Sequence, residues 1–235
     1  MKFFLLIFIT LVFLLNPCAA KAESIFTGNV KECVKKGNMI EFKCSDGLLN
    51  IYILKSNIIR FRYVREKFSE RPSYGVIWNG TEKTDFSFAE KEDSYELSTD
   101  EIRVVIRKNP CRVEIYDKSG NLINQDDPSF GVSFDGSEVR CYKKLFPDEM
   151  FFGLGEKTGT LNKRGNQYTM WNSDFPAYGK DQDPLYQSIP FFTGVRNSGA
   201  YGIYLDNTYK SYFNMGAGND RFYWFGAEDG EMDYY

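Results

Sequence analysis

One pattern recurs along most of this chain: a short run alternating apolar and polar residues, followed by a turn. Met39–Lys43, Leu48–Leu54 and Ile58–Val64 are early examples. In Ile58–Val64, Ile59, Phe61 and Tyr63 fall on one face and Arg60 and Arg62 on the other, the period of a strand with one face buried. Tyr95–Leu97, Ile102–Arg107, Arg112–Tyr116, Phe130–Phe134 and Glu138–Lys143 continue the series. Gly199–Asp206, Tyr209–Phe213 and Phe222–Phe225 close it. The intervening residues carry turn chemistry, as in Asp46-Gly47, Lys118-Ser119-Gly120-Asn121 and Asp135-Gly136. Outside the first 22 residues, no window of eleven or more shows a helical apolar period. The predicted fold is therefore all-β, a β-sandwich. No repeat and no linker rich in Pro, Gly or Ser divides it, so one domain is expected over residues 23–235.

The first 22 residues stand apart. Met1-Lys2 precedes the apolar run Phe3–Leu15, and Ala20-Lys21-Ala22 supplies a small-residue cleavage site. This is the form of a secretory signal peptide, too short for a membrane span of about 20 residues. Export to the periplasm or the cell exterior is expected, with no membrane attachment after cleavage. Loss of Lys2 and Lys21 moves the formal net charge from −3 to −5. An acidic, evenly charged surface argues against a nucleic-acid partner. The chain has no histidine. That excludes Ser-His-Asp and Cys-His catalysis and His-ligated metals.

Cys33, Cys44, Cys111 and Cys141 follow the leader. Cys33 and Cys44 flank the turn Lys35-Lys36-Gly37-Asn38, so a hairpin could set them face to face as a disulfide. The alternative is four small buried hydrophobes. No C-x-x-C pair is present, and no metal or cofactor is expected. One glycosylation sequon occurs, Asn79-Gly80-Thr81.

After Phe146 the texture changes. Between Trp171 and Gln187 little supports regular structure, and a long irregular loop inside a compact domain is a functional candidate. Trp171, Asn172, Asp174, Phe175, Tyr178, Asp181, Asp183 and Tyr186 crowd into it. Sugars are bound by aromatic faces against ring C–H groups and by carboxylates or amides against hydroxyls. Asp174, with Trp171 and Phe175 beside it, is the best-placed set. The competing reading has Trp171 plugging a sheet edge and Asp174 capping a turn. Glu156, Asp174, Asp181, Asp183 and Asp206 could supply a glycosidase carboxylate pair, but no spacing selects two of them. Gly153-Leu154-Gly155 lacks the spacing of a phosphate loop, so its glycines are expected to serve tight turns or close backbone approach.

Several motifs together carry a resemblance: Phe152-Gly153-Leu154-Gly155-Glu156, Trp171-Asn172-Ser173-Asp174, Asp183-Pro184-Leu185-Tyr186-Gln187-Ser188-Ile189-Pro190-Phe191, and Tyr201-Gly202-Ile203-Tyr204-Leu205-Asp206-Asn207-Thr208. In order and spacing they resemble the N-terminal region of glycoside hydrolase family 31, which includes α-glucosidases and α-xylosidases. The resemblance spans essentially the whole chain after the leader, and the Asp183-Pro184-Leu185-Tyr186 pattern is more similar to the α-glucosidases. It implies a galactose mutarotase-like β-supersandwich that precedes a (β/α)₈ barrel holding both catalytic aspartates. About 213 residues cannot hold this domain and a barrel of about 250. No catalytic residue is therefore assigned, and the barrel is expected in cis or from a neighbouring chain. The resemblance implies that Asp174 reaches an α-glucoside in that barrel's mouth. Mutarotase-type proton transfer would need a histidine, which is absent. The alternative is a free-standing secreted carbohydrate-binding module. Separation from a barrel further predicts a bare, fraying tail, with Trp224, Phe225, Met232, Tyr234 and Tyr235 exposed.

Overall fold

The computed structural model describes residues 23–77 and 84–235. The leader and the sequon Asn79-Gly80-Thr81 lie outside the described residues. Among those described, the regular structure is entirely strand, nineteen of them, with no helix. All strand pairing within the sheets is antiparallel.

Four sheets result. The six-stranded sheet runs in the order Ile25–Phe26, Val132–Asp135, Glu138–Lys144, Phe222–Ala227, Ser211–Asn214, Gln167–Met170. One five-stranded sheet orders Met232–Tyr234, Ile58–Val64, Gly47–Lys55, Met39–Cys44, Val30–Lys36. The other orders Leu122–Gln125, Cys111–Asp117, Ile102–Lys108, Ser94–Ser98, Ser87–Glu90. A three-stranded sheet joins Met150–Gly153, Phe191–Arg196 and Gly199–Tyr204.

The alternation read from the sequence decides which faces meet. Ile59, Phe61 and Tyr63 are buried, and so are Ile40 and Phe42, and Leu49, Ile51 and Ile53. Aromatic side chains then join sheet to sheet. Phe42 packs on Tyr95 across the two five-stranded sheets at 5.4 Å between ring centres. Phe225 of the six-stranded sheet meets Tyr234 at 5.4 Å, and Tyr223 meets Phe151 of the three-stranded sheet at 4.9 Å. These stacked antiparallel sheets are consistent with the expected sandwich.

Several strands were not foreseen. Ser87–Glu90, Leu122–Gln125, Met150–Gly153, Gln167–Met170 and Phe191–Arg196 alternate weakly or carry glycine, and their partners fix them instead. At Glu138–Lys144 the alternation puts a lysine inside. Val139, Cys141 and Lys143 all point inward, and the fully buried Lys143 ammonium donates to Asp126 Oδ1 at 2.7 Å and to the Tyr234 hydroxyl at 2.9 Å.

Two expectations are corrected. The tail does not fray. Phe225 and Met232 are fully buried and Tyr234 nearly so, while Trp224 is half-buried under the Arg140 guanidinium. Met232–Tyr234 closes the edge of a five-stranded sheet against Tyr63–Phe61, and Tyr235 exchanges two backbone hydrogen bonds with Tyr204. The polar face of Ile58–Val64 explains the match. Arg60 forks onto Asp233 at 2.6 and 2.8 Å, and Arg62 onto Glu231.

The Cys33–Cys44 bridge does not form either. The hairpin is present, but its turn pairs Lys36 with Met39, which sets Cys33 opposite Phe42, while Cys44 lies opposite Val30 beyond a register shift. The two thiols are diagonal rather than facing, and all four described cysteines are free.

Candidate functional site

The stretch between Gln167–Met170 and Phe191–Arg196 contains no strand, as expected for the loop. Trp171, Phe175, Tyr178 and Tyr186 are all well exposed, Trp171 at 53%. Asp174 is exposed between Trp171 and Phe175, and no hydrogen bond or ion pair holds its carboxylate among the described residues. The edge-plug and turn-cap alternatives therefore do not describe these side chains.

The loop is exposed but anchored. Leu185 is its buried peg, and Ser173 N–H donates to the Leu185 carbonyl at 2.9 Å, closing the base. Tyr186 donates to the Phe175 carbonyl at 2.5 Å and packs edge-on against Tyr178. Asp183, a sugar-ligand candidate in the sequence, is turned inward. One carboxylate oxygen accepts from Lys157 Nζ at 2.8 Å and the other from Thr169 N–H at 2.6 Å. Lys157 also donates to the Thr169 carbonyl, and its side chain is sealed from solvent. Thr158 adds a hydrogen bond to the Gln182 carbonyl at 2.9 Å. Lys163 lies behind, donating to the Lys157 and Thr158 carbonyls. Burial and the neighbouring Lys157 charge push its ammonium below the usual lysine range.

Lys157 and Lys163 were missed by sequence reasoning. Nothing in a lone lysine signals that its ammonium turns inward. The nearest signal was Gly153-Leu154-Gly155, which re-aims the chain just before Lys157. All three residues have positive φ, 121°, 67° and 71°. A Cβ on Gly153 would meet the Phe191 carbonyl oxygen at 2.7 Å, and one on Gly155 would meet Ile189 at 2.9 Å. The glycines thus serve close approach, as expected. Leu154 tolerates a left-handed conformation that costs roughly 1–2 kcal/mol because its side chain is fully buried and its N–H bonds the Phe191 carbonyl at 2.8 Å.

Of the remaining candidate carboxylates, Glu156 and Asp181 are exposed, and Asp183 and Asp206 are engaged by other side chains. Asp206 accepts from the Tyr235 hydroxyl at 3.4 Å and sits beside the Arg60–Asp233 pair. Asn207 bonds the Asp229 and Glu231 carbonyls. Among the described residues no cluster of three His, Cys, Asp or Glu is arranged for a metal. The site is an open aromatic surface with exposed carboxylates at Asp174 and Asp181, suited to contact a ring from one side.

Residues 48–214 match the model of the glycosyl hydrolase 31 N-terminal galactose mutarotase-like domain. The chain belongs to glycoside hydrolase family 31. Over 92% of its length this family 31 domain is 36% identical to alpha-glucosidase 2 of Bacillus thermoamyloliquefaciens. It superposes with a TM-score of 0.84 and 36% identity on a Flavobacterium johnsoniae GH31 dextranase solved as a D412A mutant with isomaltotriose, covering 89% of this chain. A soil-metagenome α-xylosidase complexed with xylose, 17% identical with a TM-score of 0.69 over 87% of this chain and 32% of its own, shares the fold. The chain spans 27% of the α-glucosidase and 26% of the dextranase, the N-terminal domain of the family rather than its full length.

Proposed function

We propose that this chain is the noncatalytic N-terminal domain of an α-glucosidase-like glycoside hydrolase, whose loop lines the sugar site of a catalytic barrel supplied in cis or by a neighbouring chain. The observation that carries this reading is Asp174, exposed and without a partner among the described residues, between Trp171 and Phe175 on a loop pinned by Lys157, Asp183 and Leu185. The rigid base positions the carboxylate without engaging it, leaving its oxygens for hydroxyl donors. The ligand is an α-glucoside-type carbohydrate, in keeping with the isomaltotriose held by the Flavobacterium johnsoniae dextranase. The leader directs export to the periplasm or cell exterior, and a secreted product beginning at Glu23 would be its signature.

Substitution of this domain for its counterpart in that dextranase provides the test. Asp174→Asn in the chimera should lower kcat/KM for isomaltotriose by about tenfold, the scale of one hydrogen bond to a charged group. Unchanged kinetics would remove the loop from the sugar site. The isolated chain should turn over no aryl α-glucoside above buffer. Turnover abolished by Asp174→Asn would instead place self-contained chemistry on the sandwich.

A free-standing carbohydrate-binding module draws support from the buried strand Met232–Tyr234, which leaves no bare tail. The two readings differ in affinity. Half a pocket making a few hydrogen bonds of about 1 kcal/mol each gives millimolar binding, near −4 kcal/mol. Micromolar maltose binding by calorimetry selects the module.

A further inference from the structure

Although the bridge expected from the hairpin does not form, the fold creates a different thiol pair. Cys44 ends the strand Met39–Cys44, and Cys111 begins Cys111–Asp117 in the other five-stranded sheet. Both side chains point into the shared core, 5% and 4% exposed. The segment Gly28–Val30 draws them together. Cys111 N–H donates to the Gly28 carbonyl at 2.7 Å, Ser45 N–H donates to the Asn29 carbonyl at 2.9 Å, and Val30 pairs directly with Cys44. One three-residue segment therefore holds both cysteine backbones, with Gly28 packed directly against Ser45, and both thiols belong to the same buried cluster. The other cysteines are engaged elsewhere. Cys33 lies on the partly exposed strand beside Glu90 and Lys108, and Cys141 lies against Lys143 and Tyr234.

We propose that Cys44 and Cys111 are a disulfide-forming pair that covalently joins the two five-stranded sheets under oxidising conditions. With glutathione disulfide as oxidant, the thiolate of one cysteine attacks a glutathione sulfur and expels one glutathione thiolate, giving a mixed disulfide. The second cysteine thiolate then attacks the protein sulfur and expels the other glutathione. The two cysteines lose two electrons and two protons, and one glutathione disulfide becomes two glutathione thiols. The neighbouring Cys44 thiol and burial both disfavour the Cys111 thiolate, so exchange runs while the chain folds or as this corner opens, and slowly in the closed state.

The test is refolding of the full chain from denaturant in a glutathione redox buffer, followed by alkylation and non-reducing peptide mapping. The expected product is a peptide joining Cys44 to Cys111, with Cys33 and Cys141 alkylated. The cross-link closes a loop of roughly 67 residues and should raise Tm by about 5 °C or more over the reduced chain. Cys111→Ala should abolish that rise, and Cys33→Ala should leave it intact. Cys44 and Cys111 both alkylated, or either joined to Cys33 or Cys141, overturns the proposal. Because the mapping uses the unsubstituted chain, its result does not depend on how the variants fold.

Discussion

Replacing Lys157 with methionine tests whether the candidate sugar loop is held by one buried charge. Methionine keeps most of the side chain's volume, so little cavity is created. What disappears is an ammonium sealed from solvent that holds Asp183 Oδ1 at 2.8 Å and the Thr169 carbonyl at 2.5 Å. Asp183 is left with a single donor, Thr169 N–H at 2.6 Å. Stripping the partner from a fully buried charge costs about 3–5 kcal/mol. The Asp183 side chain keeps 19% of its exposure, so water recovers part of that, and about 2–3 kcal/mol is expected. In a domain of this size the loss reads as a fall in Tm of about 4 to 12 °C. Urea unfolding supplies the free energy, and chymotrypsin, cutting at the exposed Trp171 and Tyr178, reports whether the loop opens first. If loop opening is cheaper than the lost pairing, the urea loss levels off at the opening free energy while cleavage accelerates. The double variant Lys157→Met/Asp183→Leu should recover most of the loss, because it removes the orphaned charge as well. A single variant within about 0.5 kcal/mol of the parent, or a double variant that is simply additive, would refute the reasoning.

Three further outcomes are expected. Lys143→Ala should cost about 3–5 kcal/mol in urea unfolding by leaving Asp126 buried without its cation, whereas Lys143→Met with Asp126→Leu should cost far less; equal losses would contradict the charge argument. Met232→Ala should cost about 2–5 kcal/mol despite lying near the last residue, and a neutral result would mean that the tail is peripheral after all. Burial, reinforced by the Glu90 charge, pushes the Cys33 thiol up to about 11. Its folded form therefore stays neutral at ordinary pH, and iodoacetamide should modify Cys33 about tenfold faster per pH unit from about pH 7 to 9 without levelling, where an ordinary thiol levels near 8.5.

Much of the fold was legible in the sequence because a strand with one buried face writes its burial into every second residue. Ile59, Phe61 and Tyr63 were assigned inward from spacing alone, and the core holds them there. The loop was legible as well, since it lacks that period and gathers aromatic and acidic residues from Trp171 to Tyr186. Pairing was not legible. Period two says which face is buried but not which strand lies beside it, so Met232–Tyr234 could not be matched to Phe61–Tyr63 across some 170 intervening residues. The same ignorance misplaced the cysteines, because the exact turn register, Lys36 opposite Met39, sets Cys33 across from Phe42 and leaves Cys44 diagonal to it. Site chemistry divided along this line. Asp174 stayed where local composition put it, exposed beside Trp171. Asp183, identical in kind and nine residues later, was turned inward by a lysine that the sequence gives no reason to single out. Local pattern records exposure to water, whereas partners for buried charges and edges are chosen only when distant segments meet.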